Sequence, residues 1–159
     1  EGSMTRTHFF DHRLPPLVVA AGVAGCMYAG ARLTPGVTTD FAWLNLAAWG
    51  LALLGSILAL VGVATFEKHK TTMNPFDPGR AARLVETGIY RRTRNPMYVG
   101  VTLMLAGYAA HLGNPLALIL VLLFPAYIQR FQIAPEERAL DQLFGEAYAA
   151  YKSRVPRWL

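Results

Sequence analysis

FAWLNLAAWGLALLGSILALVGVATF, residues 41–66, decides the fold. The stretch carries no charge, and at 1.5 Å per residue it spans roughly 39 Å as a helix, more than the hydrocarbon thickness of a bilayer. It therefore crosses a membrane with tilt or projects past the interface. The composition around it agrees: 53% of the 159 residues are hydrophobic, and the charges are gathered in clusters. A soluble domain of this size interleaves them.

Upstream, residues 14–31 (LPPLVVAAGVAGCMYAGA) are also uncharged and reach roughly 27 Å, which predicts a first span. Cys26, the only cysteine, lies in it, so no intrachain disulfide or cysteine-based metal site forms, and the side chain is expected to pack. Polar Thr and His residues precede the span without a small-residue cleavage site, which predicts a retained helix. Glu1-Gly2-Ser3 before Met4 reads as a tag remnant.

Downstream, the apolar runs 97–112 and 115–128 are each short for a span. Gly113-Asn114-Pro115 between them breaks the helix, so the two are expected to form a helical hairpin, with the second arm carried to about 133. The expectation is an all-α, polytopic membrane protein with about four transmembrane helices, 14–31, 41–66, 97–112 and 115–133. A loop at 67–95 and an amphipathic helix at 135–152 complete one domain, residues 4–159.

Lys68, Lys70, Arg80, Arg83, Arg91, Arg92 and Arg94 all lie between the second and third spans, whereas the first outer loop holds only Arg32 and the second none. By the positive-inside rule the large loop is cytoplasmic, and both termini join it. The net charge of +5 then suits anionic lipid headgroups. Nucleic acid is excluded as a partner, because the basic residues follow the membrane boundary and no nucleic-acid motif accompanies them.

Two polar blocks remain that a membrane anchor does not require. The first is GIYRRTRNPMYVG, 88–100. Asn95 suits a helix cap and Pro96 the first helical position, so the third span is expected to start here with backbone N–H groups open to an anion. Arg94 beside that start and Tyr98 one turn later could hold a carboxylate and a neighbouring cation; alternatively the arginines meet headgroups and Tyr98 joins the interfacial belt. The second block is PEERALDQLFGEAYAAYKSRVP, 135–156. If Pro135 opens a helix, Glu136 and Glu137 occupy its first turn. At 100° per residue Leu140, Phe144, Tyr148 and Tyr151 share one face, and Glu137 falls within it, Glu136 at its edge and Glu146 opposite. A carboxylate on an apolar face needs a cation, either Arg94 or Arg130 or a ligand amine. Arg154 and Arg157 by default meet headgroups.

Together the two blocks resemble the isoprenylcysteine carboxyl methyltransferase family and the related phospholipid N-methyltransferases. The resemblance rests on Gly88, Tyr90, Arg94, Asn95, Pro96, Tyr98 and Gly100, then Glu136, Glu137, Leu140, Phe144, Gly145, Tyr148, Tyr151 and Arg154, in order and spacing across residues 88–156. It implies an S-adenosylmethionine-dependent methyltransferase acting at the membrane interface on a lipophilic or lipid acceptor, either a carboxylate or an amine. It also implies a cofactor site made by Tyr90, Arg94, Asn95, Pro96, Met97, Tyr98, Gly100, Glu136, Glu137 and Leu140, with Arg94, Glu137 and Arg154 in catalysis. An amine acceptor needs a base, for which Glu136, Glu137, Tyr98 and His69 are the candidates. Asn95 stands where the carboxyl methyltransferases carry His, and Asn-Pro-Met-Tyr looks more like the phospholipid enzymes, which weakens the case for a prenylcysteine acceptor. The competing expectations are a non-catalytic lipid-binding membrane protein and a sterol-reductase-like enzyme.

Overall fold

The computed structural model describes residues 14–39, 41–68 and 84–159. The tag remnant and most of the 67–95 loop, His69 included, lie outside the described residues. Within them the chain is all-helical: α1 Pro16–Leu33, α2 Ala42–Lys68, α3 Pro96–Leu112, α4 Pro115–Leu120, α5 Leu123–Ile128, α6 Ala134–Phe144 and α7 Glu146–Arg154. Three helical stretches are long and apolar enough to cross a membrane: α1, α2 and the continuous path Pro115–Phe144. Large apolar side chains such as Leu17, Leu46, Trp49, Leu60 and Leu118 point outward, as lipid-facing surfaces require.

Small residues hold α2 to α3. Between apolar helices in lipid there is little hydrophobic drive, so close van der Waals contact has to supply the association. Ala48, Ala52, Gly55, Ala59 and Gly62 recur along one stripe of α2, and Gly100 and Gly107 of α3 lie directly on it. A Cβ on Gly100 would come within 2.5 Å of the Gly55 carbonyl oxygen, and one on Gly107 within 2.6 Å of the Ala48 oxygen. At the far end Met97 and Pro96 pack on Gly62. On the other side of α3, α1 lies against α4 and α5, with Met27, Leu105, Ala117, Phe124 and Ile128 in their shared core. Cys26 faces outward instead of packing, because the inward stripe of α1 is Val19, Val23 and Met27.

The hairpin is the expected one. Gly113 adopts φ 58 at the end of α3, a left-handed position that favours glycine, and its N–H bonds to the carbonyls of Ala109 and Ala110. Buried Asn114 then caps α4 by accepting from Leu116 N at 2.9 Å, and its amide donates to the Thr34 carbonyl, Thr34 Oγ1 and Thr38 Oγ1. The turns after α1 and α3 are thereby tied together.

Two expectations are corrected beyond this point. Pro135 does not open a new helix: the backbone stays helical from Ile128 through Ala134, and residues Gln129–Ile133 form a π-turn in which Ala134 N bonds to Gln129 O. The wider turn gives room where the ring would crowd the preceding carbonyl, so the missing N–H of Pro135 is absorbed without a break. Glu136 and Glu137 occupy the first turn of α6, as expected, but that turn continues the π-turn and offers no open start. Similarly, the single amphipathic helix expected at 135–152 is two, because Gly145 takes φ 53, ψ −121 between α6 and α7.

The seam between α2 and α3 is testable. Gly107→Val forces α3 away from the α2 backbone and should lower stability by about 1–3 kcal/mol, the usual cost of overpacking. Gly22→Ala, with nothing within 4 Å of its added Cβ, should leave it unchanged or slightly raised. Thermal melts in one detergent compare the two.

Candidate functional site

The turn entering α3 and the segment after α7 meet. Gly88, at φ 60, begins a short 3-10 turn, Gly88–Arg91, that buries Tyr90 against Phe66 in an edge-on ring contact. The chain then runs through Thr93, Arg94 and Asn95 into Pro96. Arg94 N donates to the Pro156 carbonyl at 3.0 Å; Thr93 Oγ1 and Asn95 Nδ2 donate to the Arg157 carbonyl at 3.3 and 2.9 Å. Asn95 thus does not cap α3 with its side chain; its amide is spent on the closing segment of the chain. The first amides of α3 have no side-chain cap, as an anion-accepting start requires.

Glu137 lies at the centre of the charge cluster. Its carboxylate takes Arg94 Nη1 on Oε1 at 2.8 Å, and Arg157 with two bonds, Nε to Oε1 at 3.0 Å and Nη2 to Oε2 at 2.6 Å. The side chains of Arg94 and Glu137 are only 11% and 12% exposed, so this pair is largely shielded from water and from salt, whereas Arg157 is 36% exposed. Arg94 Nη1 also donates to the Tyr148 hydroxyl at 3.4 Å. The sequence alternatives for Glu137 were Arg94, Arg130 or a ligand amine; the structure brings Arg94 and adds Arg157, which the headgroup expectation missed. Its signal was weak, an arginine just past Pro156 with no periodicity to place it.

Glu136 belongs to a second polar group. Its Oε1 accepts from the Tyr98 hydroxyl at 3.3 Å. Tyr90 lies within electrostatic reach of Glu136. Two polar atoms in these blocks are buried without a hydrogen-bond partner among the described residues, Tyr90 Oη and Arg94 Nε. Such groups are costly to leave unmet, which makes them places where a ligand can contribute.

Behind these groups Tyr148, Tyr151 and Val155 form a small core with Leu84, Leu140 and Phe144, and Tyr151 donates to the Tyr90 carbonyl at 2.7 Å. Leu140 supports the site from this core. Gly100 and Met97 face α2, and Pro96 is buried at the head of the same seam, so these three shape the site through the helix contact. Arg154 lies elsewhere: its guanidinium bonds to Glu86 at 2.8 Å and to the Ala150 carbonyl at 3.1 Å, and its side chain is 66% exposed. An apolar pocket of about 290 Å³ opens beside the cluster, lined by Val99, Thr102, Leu103, Pro125, Trp158 and Leu159.

The phenols are poor bases. Burial, with Glu137 second, pushes Tyr148 from 10.0 up to about 12, against the pull of Arg94. Tyr90 and Tyr151 are also raised, chiefly by burial.

Comparison with known proteins gives the following. A profile described as phospholipid methyltransferase matches residues 43–147. An uncharacterized protein of Haemophilus influenzae is 44% identical over 63 residues, 40% of this chain and 100% of its own length. Protein-S-isoprenylcysteine O-methyltransferase B of Arabidopsis thaliana is 30% identical over 117 residues, 72% of this chain and 58% of the plant protein. The protein-S-isoprenylcysteine O-methyltransferase of Rattus norvegicus is 30% identical over 117 residues, 74% of this chain and 41% of its own. This chain therefore spans only about half the length of those two enzymes.

Two outcomes follow from the cluster. Glu137→Ala leaves the largely buried Arg94 without its carboxylate and should cost about 3 kcal/mol, the lower end of the range for removing one partner of a buried pair because Arg157 is 36% exposed, read as a lower melting temperature in detergent. Tyr148 gives a pH signature. Its phenol returns to 10.0 on unfolding, so its contribution to stability is full below pH 10 and is lost as the pH rises to about 12. Melts across that window should fall less steeply for Tyr148→Phe than for the wild type.

Proposed function

Because the chain belongs to the phospholipid methyltransferase family, we propose that it is an S-adenosylmethionine-dependent methyltransferase acting at the membrane interface on a lipophilic acceptor. The observation that carries the proposal is the pair of unanswered buried atoms, Arg94 Nε and Tyr90 Oη, next to carboxylates of known placement. S-adenosylmethionine supplies an electrophilic methyl group on a sulfonium, and its amino-acid end is a zwitterion. Arg94, with the uncapped amides that start α3, suits the carboxylate. Glu136, with the Tyr98 hydroxyl and Tyr90 nearby, suits the ammonium. Glu137 then serves as the counter-ion that keeps Arg94 in place, rather than as a ligand clamp.

Displacement from a sulfonium leaves a neutral thioether, so the protein needs no general acid. Its work is to align donor and acceptor and to exclude water. The pocket between α3, α5 and residues 158–159 supports an acceptor with an aliphatic portion, which would enter from the bilayer. A carboxylate acceptor is ionised at neutral pH and needs no base. An amine must lose a proton first, and neither the raised phenols nor Glu137, paired with two arginines, is suited to take it.

The same proposal has four crossings, with α3 as the third. Support comes from the way α3 runs antiparallel along α2, from Gly62 at one end to Ala48 at the other. Both blocks and both termini would be cytoplasmic, with exposed Arg91, Arg92, Arg130 and Arg138 toward anionic headgroups. Arg154, set on Glu86, would act on the loop before α3 and not on the cofactor.

Calorimetry with S-adenosylmethionine and transfer of a labelled methyl group into membrane lipids test the proposal. Wild type should bind and transfer; Arg94→Ala should lose both while keeping its helical content. Glu136→Gln should weaken binding by about tenfold or more, as expected for a charge-assisted hydrogen bond. A well-folded wild type that binds no S-adenosylmethionine would leave the non-catalytic lipid-binding reading, which the Glu137 ion pairs fit equally.

A further inference from the structure

Arg94 and Glu137 could satisfy one another completely. A guanidinium and a carboxylate favour two parallel N–H···O bonds, and in a shielded site that arrangement is the strong one. Arg94 does not adopt it. It reaches Glu137 through Nη1 alone, on Oε1, while its Nε is buried with no acceptor among the described residues. The two-bond arrangement is held by Arg157, whose Nε and Nη2 occupy both carboxylate oxygens.

The backbone makes this arrangement deliberate in geometry. Arg157 cannot drift from the turn that carries Arg94, because the carbonyls of Pro156 and Arg157 accept from Arg94 N, Thr93 Oγ1 and Asn95 Nδ2, and Thr93 is wholly buried. Beyond it Trp158 Nε1 bonds to Gln129 Oε1 at 2.9 Å, fixing the segment on its other side. Two arginines around one carboxylate also leave the cluster with a surplus positive charge, which suits an anion beside Arg94. Arg157 and its strap lie beyond residues 43–147, the stretch matched by the family profile.

We propose that Arg157 is a positioning residue for the cofactor site: by holding both oxygens of Glu137 it leaves the buried Nε of Arg94 without a protein partner and so available to a ligand carboxylate. Without Arg157, Glu137 turns to pair with Arg94 through two bonds and takes up that Nε. Asn95 and Thr93 act through the strap, and the Asn95 amide is committed there instead of at the helix start. This inference rests on the methyltransferase reading above.

The test is S-adenosylmethionine affinity by calorimetry on the 159-residue chain in detergent, with melts confirming folding. Arg157→Ala should weaken binding by about tenfold or more. Arg157→Lys should recover little, because an ammonium cannot bridge both oxygens in a fork. The decisive variant is Arg157→Ala combined with Glu137→Gln: with no carboxylate to capture Arg94, binding should be tighter than in Arg157→Ala alone. A role that is only structural would make the double variant worse. Wild-type affinity in Arg157→Ala, full recovery in Arg157→Lys, or a double variant no tighter than Arg157→Ala would each overturn the inference while the methyltransferase reading stands. If Arg157→Ala does not fold, Arg157→Lys decides: weakened binding supports the fork, and unchanged binding overturns it. A folded wild type that fails to bind would instead remove the methyltransferase reading, and this inference with it.

Discussion

One buried carboxylate, shared by two guanidinium groups, organises the polar half of this protein. Glu137 sits near the start of α6, Arg94 at the entry to α3 and Arg157 beyond α7, so a single charge fastens three segments that the sequence places far apart. Shielding makes the pairs strong and makes any one of them costly to break. The tyrosine core below, the strap across the turn and the placement of Glu136 all follow from that fastening.

The apolar half answers to a different constraint. Where lipid surrounds the helices, closeness replaces hydrophobicity as the source of cohesion, and glycines of α2 and α3 supply it. The seam reaches Pro96, the residue that starts α3. Helix contact and charge cluster therefore meet at one turn, so the packing of α2 against α3 bears on the geometry of the cluster.

Much of this was legible in residues alone. Charge-free length predicted α1 and α2, and Gly113-Asn114-Pro115 predicted the hairpin, since helix breaking and capping are local properties. The apolar face through Leu140, Tyr148 and Tyr151 also survived, although Gly145 splits it between two helices. What the sequence hid was the non-local bonding. Asn95 looks like a cap until a carbonyl from Arg157 claims its amide, and Pro135 looks like a helix start until a π-turn absorbs it. Arg157 gave no periodic signal, because it follows a proline outside any helix. Asn95 and Arg157 were missed because a distant partner claimed them, Pro135 because the turn just before it widens.

The strap also has a consequence for biogenesis. A ribosome delivers Arg94 well before Glu137 and Arg157, so for part of synthesis Arg94 stands without its counter-ion. The charge cluster is complete only when these three segments, made at different times, have met. A chain stopping before Pro156 would keep α1 to α7 and the Arg94–Glu137 pair, yet lack the second guanidinium and the two carbonyls that hold the turn into α3.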